Sequence, residues 1–217
     1  PPNIANGTNR VGVLLQSFTG FMKMKPDVPI SFTKYMQFII PSVIGAVIGS
    51  LIVVDIDAQT LKIIIGVILL IMLFPILVQK EAWKTNDSVT TITKHKILEP
   101  LLLFITGVYG GFIQAGVGII LLTTMVPILR YGLTFANTVK NLIVFCFTIP
   151  ALAIFAFYGQ VNWQIGGMLA IGQVAGAWAG ASFAMKKKKS GKWVRWLLII
   201  IIIASALELF NIRRFFP

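Results

Sequence analysis

The chain has 217 residues, 57% of them hydrophobic and only 12% charged, and its mean hydropathy is +0.87. A water-soluble domain carries about a quarter charged residues to solvate its surface, so this composition excludes one. The net charge of +12 does not call for nucleic acid, because the basic residues flank apolar runs of roughly 20 residues, the length a helix needs to cross ~30 Å of hydrocarbon.

The expected fold is therefore an all-α membrane protein, a polytopic helical bundle forming a single transmembrane domain. The chain opens on Pro1-Pro2-Asn3, which reads as internal sequence, with no cleavable signal peptide visible. Helices are expected at about 8–24, 33–54, 59–79, 135–158, 162–185 and 192–211. Between the third and fourth, Leu98–Tyr109 and Val117–Arg130 are apolar, but each is too short to cross the hydrocarbon alone. They flank Gly110-Gly111-Phe112-Ile113-Gln114-Ala115-Gly116, a poor continuous helix, so two half-helices meeting inside the membrane are expected. The single Cys146 lies in an apolar run and excludes an intramolecular disulfide. The one histidine, His95, sits between Lys94 and Lys96, which leaves no second histidine for a histidine-based metal site or triad. No metal, cofactor or enzymatic activity is expected.

The chain repeats itself. Ala5-Asn6 returns as Ala136-Asn137, Gly45-Ala46 as Gly176-Ala177 and Gly49 as Gly180, all at an offset of 131. Pro29-Ile30-Ser31-Phe32 falls on Gln160-Val161-Asn162-Trp163 at the same offset. Two repeats follow, about 1–80 and about 97–217, joined by a loop at 81–96. The second has the glycine-rich segment Ile97–Thr134 before its Ala-Asn pair. An equivalent of about 35 residues is thus expected to be missing upstream of the first.

The stretches 23–34, 80–96 and 186–195 are rich in lysine and arginine and are placed on the cytoplasmic side. Asp55 and Asp57 then fall outside. Segment 97–130 starts and ends inside, as a re-entrant hairpin, and the two repeats have inverted topology, the arrangement of many secondary transporters. A single long crossing at 97–130, with parallel repeats, is the alternative.

The run from Gly107 to Gly118 is the strongest chemical signal. Glycines let backbones approach and free amides and carbonyls at a helix break to hold an ion, whereas close helix packing would use glycines alone. Gln114 among Gly111, Gly116 and Gly118 favours a binding site. Ala5-Asn6-Gly7-Thr8-Asn9-Arg10 and Ala136-Asn137-Thr138-Val139-Lys140-Asn141 each open a helix with amides, a hydroxyl and a cation. Such a start suits an oxyanion, although a capped helix with a snorkelling cation has the same composition. The candidate substrate-binding residues are Lys140, Asn137, Gln114, Gly116, Gly118, Gly111, Asn6, Thr8, Asn9 and Arg10. Glu99 and Glu208, near span ends, read as interfacial anchors.

Gly107-x-Tyr109-Gly110-Gly111-Phe112, Ala115-Gly116-Val117-Gly118, Pro127, Gly132, Ala136-Asn137 and Lys140 resemble the sulfite exporter TauE/SafE family. Gly159-Gln160-Val161-x-Trp163 and Gly172-Gln173-x-x-Gly176-Ala177-x-x-Gly180-Ala181 extend the resemblance through the second repeat, and Ala5 to Asn9 carry it more loosely into the first. It departs at Gln114, where the family has a small residue, often glycine. The resemblance implies two repeats and transport of a sulfur-containing anion such as sulfite, a sulfonate or thiosulfate. The expected protein is a secondary permease in the plasma (inner) membrane, with a small anionic substrate, the lipid bilayer, a proton or sodium ion as possible coupling ion and possible homo-oligomers as its partners. The alternative is a non-transporting membrane assembly or scaffold subunit.

Overall fold

Pro1 and Pro2 stand at the start of the first helix. Pro2 takes the first turn, where its missing N–H costs nothing, and α1 runs Pro2–Lys23, well ahead of the expected start at 8. The structure, a computed structural model, describes residues 1–24, 31–78 and 97–186. The expected helix at 192–211 and most of the basic stretches lie outside the described residues.

Ser31 caps α2 (Phe32–Val54) by accepting the Lys34 N–H at 3.3 Å. Asn162, its equivalent at the 131-residue offset, accepts the Ile165 N–H at 3.0 Å where α7 (Trp163–Lys186) begins. Asp57 caps α3 (Ala58–Val78) through the N–H groups of Thr60 and Gln59 at 2.9 and 3.0 Å. Those bonds, the one from Thr60 foremost, hold its carboxyl below the usual carboxylate range.

The glycine-rich segment forms α4 (Leu98–Phe112), an irregular link at 113–116, α5 (Val117–Thr123) and a π-helical turn, Thr124–Ile128. α6 (Leu133–Phe157) follows. Among the described residues there are seven α-helices and no strand. α2 and α6 are each long and apolar enough to cross a membrane. Ile40, Ile44, Ile48 and Ile52 face outward along α2, as do Ile63, Val67 and Ile71 along α3. Stripes of this size need lipid or protein over them.

α1 packs on α6 and α7, and α2 on α4 and α6. Side-chain pairs give the directions. Gly20 faces Asn141 while Gly7 faces Phe155, so α1 and α6 are antiparallel. Thr8 meets Asn162 and Lys23 meets Trp178, so α1 and α7 are parallel. Phe38 meets Phe135 and Val54 meets Gln160, so α2 and α6 are parallel as well.

α2 and α4 touch backbone to backbone. A Cβ at Gly45 or Gly49 would collide with the carbonyls of Phe104 or Val108, and one at Gly107 or Gly111 with those of Ser42 or Ala46. The same small residues recur on α7, but among the described residues nothing lies within 4 Å of a Cβ at Gly172, Gly176 or Gly180. The core is built from Phe38, Leu103, Leu121, Val139, Ile143 and Phe147 with their neighbours.

Candidate functional site

A helix that stops inside a protein leaves its last carbonyls without partners. At the end of α4 every one of them is answered, and the answers come from three parts of the chain. Tyr109 O accepts the Ile113 N–H at 2.7 Å. Gly110 O accepts from Arg10 Nη1 at 3.1 Å. Gly111 O accepts from Arg10 Nη2 and from Ser50 Oγ, the latter at 3.1 Å. Phe112 O accepts from Asn6 Nδ2 at 2.8 Å.

Arg10 is fully buried, and its guanidinium lies 4.4 Å from the centroid of the Phe155 ring. Among the described residues the one ion pair is Lys34–Glu99, so no carboxylate balances Arg10. Its countercharge is the carbonyl end of α4, equivalent to about half a negative charge. Arg10 Nη1 also donates to Gln114 Oε1 at 3.1 Å. Two buried donors in this pair have no partner, Arg10 Nε and Gln114 Nε2. Buried N–H groups are nearly always satisfied, so an unpaired pair beside a net positive charge is a place for an acceptor.

The link at 113–116 is held from below by Tyr109, whose hydroxyl donates to Ala115 O at 2.6 Å. Gly116 turns the chain at φ 72°, left-handed backbone that favours glycine, and leads into α5. Gly118 follows, where a Cβ would lie 3.6 Å from Lys140 Cδ, so the lysine stem lies alongside α5. Arg10 thus meets the chain at the end of α4 and within the break, and the Lys140 stem meets it just after the break. Among the described residues no hydrogen bond or ion pair holds the Lys140 ammonium.

The structure gathers Asn6, Arg10, Gly111 and Gln114 at the end of α4, while Gly116 opens α5 and Gly118 lies beside the Lys140 stem. The remaining candidates turn elsewhere. Thr8 Oγ1 accepts the Asn162 N–H at 2.9 Å, and Asn9 Oδ1 accepts from Gln173 Nε2 at 2.9 Å, so both fasten α1 to α7. Asn137 Nδ2 points to the Met24 sulfur at 3.4 Å, with Asn141 Nδ2 at 3.9 Å. Sequence reasoning passed over Ser50 and Phe155, and used Tyr109 only for the family resemblance without giving it a role. Ser50 was the one with a signal, as a hydroxyl continuing the small-residue face of Gly45, Ala46 and Gly49.

The two ends of the hairpin meet. Tyr131, after the π-helical turn, donates to Glu99 Oε2 at 2.7 Å, and Lys34 Nζ holds Glu99 Oε1 at 2.6 Å. Glu99, read from sequence as an interfacial anchor, is only 4% exposed. Burial, and then the Glu99 carboxylate, push the Tyr131 phenol well above its ordinary value, so it remains a donor. Lys34→Ala leaves a buried carboxylate with one neutral partner and is expected to lower stability by about 2–4 kcal/mol. Denaturant unfolding in detergent should show this loss, with a smaller one for Glu99→Gln, which still accepts from Tyr131.

A family model described as Sulfite exporter TauE/SafE matches residues 1–209. The chain is 26% identical over 211 residues to a probable membrane transporter protein, ORF9, of a Sinorhizobium species, covering 96% of this chain and 78% of the relative. It is 23% identical over 195 residues to a probable membrane transporter protein of Haemophilus influenzae, covering 88% and 74%. A third, from Xylella fastidiosa, is 22% identical over 206 residues, covering 95% and 79%. No solved structure matches.

Proposed function

Because the chain belongs to the sulfite exporter TauE/SafE family and is an integral membrane transporter, we propose that it is a secondary permease for a small sulfur-containing anion, working by alternating access in the plasma membrane. The observation that carries this reading is Arg10, a buried guanidinium balanced by carbonyls rather than a carboxylate, with its Nε and Gln114 Nε2 unpaired. An oxyanion entering such a site loses hydration and needs fixed donors and a countercharge. Arg10 and Gln114 offer these at the end of α4, and Lys140 adds a cation just after the break. With the Arg10 charge already engaged by the carbonyls of α4, the Lys140 ammonium is the one cation of the site without a protein partner among the described residues, so the anion is bound without being held so tightly that release stops.

The helix directions fit an inverted arrangement of the two repeats, which belongs to the same reading. Equivalent helices α1 and α6 run antiparallel, while α1 on α7 and α6 on α2 make matching parallel pairs. The hairpin returns to where it started, with Tyr131 bonded to Glu99, which favours a re-entrant segment over a single crossing. Broken helices at the interface of inverted repeats are where such transporters bind substrate.

Thermal shift of the purified protein with sulfite, thiosulfate, sulfonates and carboxylates tests the assignment. Sulfur oxyanions should stabilise the protein and carboxylates should not. Lys140→Ala should weaken binding by about 2–5 kcal/mol, and Gln114→Gly should change the preference among sulfur oxyanions while leaving the fold intact. Unchanged binding and transport in Lys140→Ala would make Lys140 an interfacial anchor. Absence of any anion binding would favour a scaffold role.

A further inference from the structure

The contact between Arg10 and the Phe155 ring has a counterpart in the other half of the chain. At the 131-residue offset Arg10 corresponds to Asn141 and Phe155 to Met24, and Asn141 and Met24 also meet. α1 and α6 are antiparallel, so the two contacts lie apart, with Arg10 and Met24 roughly 20 Å from one another along α1 at the α-helical rise. At the first, the donors of α1 find strong acceptors: Asn6 Nδ2 gives to Phe112 O, and Arg10 to Gly110 O and Gly111 O. At the second, Asn137, the counterpart of Asn6, and Asn141 find a thioether. Asn137 Nδ2 lies 3.4 Å and Asn141 Nδ2 3.9 Å from Met24 Sδ, and among the described residues neither amide nitrogen has another acceptor.

Thioether sulfur is a weak acceptor. Asn137 and Asn141 stand about 40° apart around α6, on the face turned to the end of α1, where a Cβ at Gly20 would lie 2.7 Å from Asn141 Nδ2. Lys140 comes about 60° round the helix from Asn137, and no hydrogen bond or ion pair holds its ammonium among the described residues. Two amides thus spend their hydrogens on sulfur next to a cation that lacks a partner. Met24, Asn137, Lys140 and Asn141 are all partly exposed.

We infer that Asn137 and Asn141 form a second station for a small oxyanion, and that Met24 fills it in this structure as a displaceable plug. The oxyanion takes the two amide hydrogens in place of the sulfur. Lys140, adjacent to Asn141 and with its stem against Gly118 just past the helix break, supplies the countercharge. A methionine suits the part, because its side chain is flexible and its sulfur holds an amide too weakly to compete with a charged acceptor. This inference rests on the anion reading, to which it adds a second binding place farther along α1 than Arg10.

The test uses the whole protein in neutral detergent, with thiosulfate as the probe and calorimetry as the readout. Met24→Ala should tighten thiosulfate binding by roughly threefold, near the low end for one neutral hydrogen bond. A contact that merely held α1 to α6 would weaken binding instead. Asn141→Leu, close in shape, should weaken binding by roughly tenfold, as the loss of a hydrogen bond to a charged group does. In protein isotope-labelled at its methionine methyl groups, the Met24 resonance, identified by its absence in Met24→Leu, should shift when thiosulfate is added. Thiosulfate binding unchanged in both Met24→Ala and Asn141→Leu, or a Met24 resonance unmoved at saturation, overturns the plug and leaves the permease reading standing. If neither thiosulfate nor sulfite binds the parent protein or Met24→Ala, the anion reading fails and this inference falls with it.

Discussion

Arg10→Met is expected to leave little folded protein. The substitution keeps most of the buried volume but removes the donors to Gly110 O and Gln114 Oε1, and one of the two to Gly111 O. Each buried acceptor left unpaired costs about 1–3 kcal/mol, and the contact with the Phe155 ring adds about 1 kcal/mol more. A loss of about 3–7 kcal/mol is a large share of the margin by which a protein stays folded. Arg10→Lys should fall between, because a point charge reaches one carbonyl where the planar fork reaches two. Yield from membranes and unfolding temperature in detergent measure both. A stable Arg10→Met protein would mean that water answers the carbonyls of α4, and that the end of this helix is wet.

Gly111→Leu should be as damaging, for a steric reason. Gly111 faces Ala46 so closely that a Cβ alone would collide with its carbonyl. A leucine has to push α4 away from α2, and the bonds from Arg10 and Ser50 to Gly111 O lengthen with it. Overpacking costs about 1–3 kcal/mol in a core that can shift; here the obstacle is backbone, so transport and unfolding temperature should both collapse. Gly118→Ala is the matched control, since its nearest neighbour is the flexible Lys140 stem at 3.6 Å. It should fold normally. Equal tolerance at the two positions would refute the close approach of α2 and α4.

Most of the helices were legible because each is an apolar run with polar punctuation. α2, α3, α6 and α7 lie within two residues of their expected bounds. The break was legible too, from glycines around a lone amide. Its details were not, because they depend on partners far along the chain. α4 extends to Phe112 rather than Tyr109 because Arg10, Ser50 and Asn6 take its last carbonyls. A window around residue 110 contains none of these groups. The same distance hides the partners of Glu99, which come from Lys34 and Tyr131. Thr8 and Asn9 read as site residues from their neighbours, yet they lie on the face of α1 turned to α7. A list of polar residues at a helix start does not say which way each one points.

The dependence of α4 on α1 and α2 has a consequence for biogenesis. The chain is made from its amino end, so Asn6, Arg10 and Ser50 enter the bilayer before the hairpin that needs them is synthesised. Alone in lipid, the exposed carbonyls at the end of a short helix would be costly. Docked against α1 and α2 they are satisfied at once. The hairpin is therefore a late arrival whose insertion is templated by helices already in place, and Arg10, itself expensive in hydrocarbon, waits for it. Until α4 docks, α1 and α2 belong to an unfinished intermediate, the state in which membrane quality control would meet a damaged hairpin.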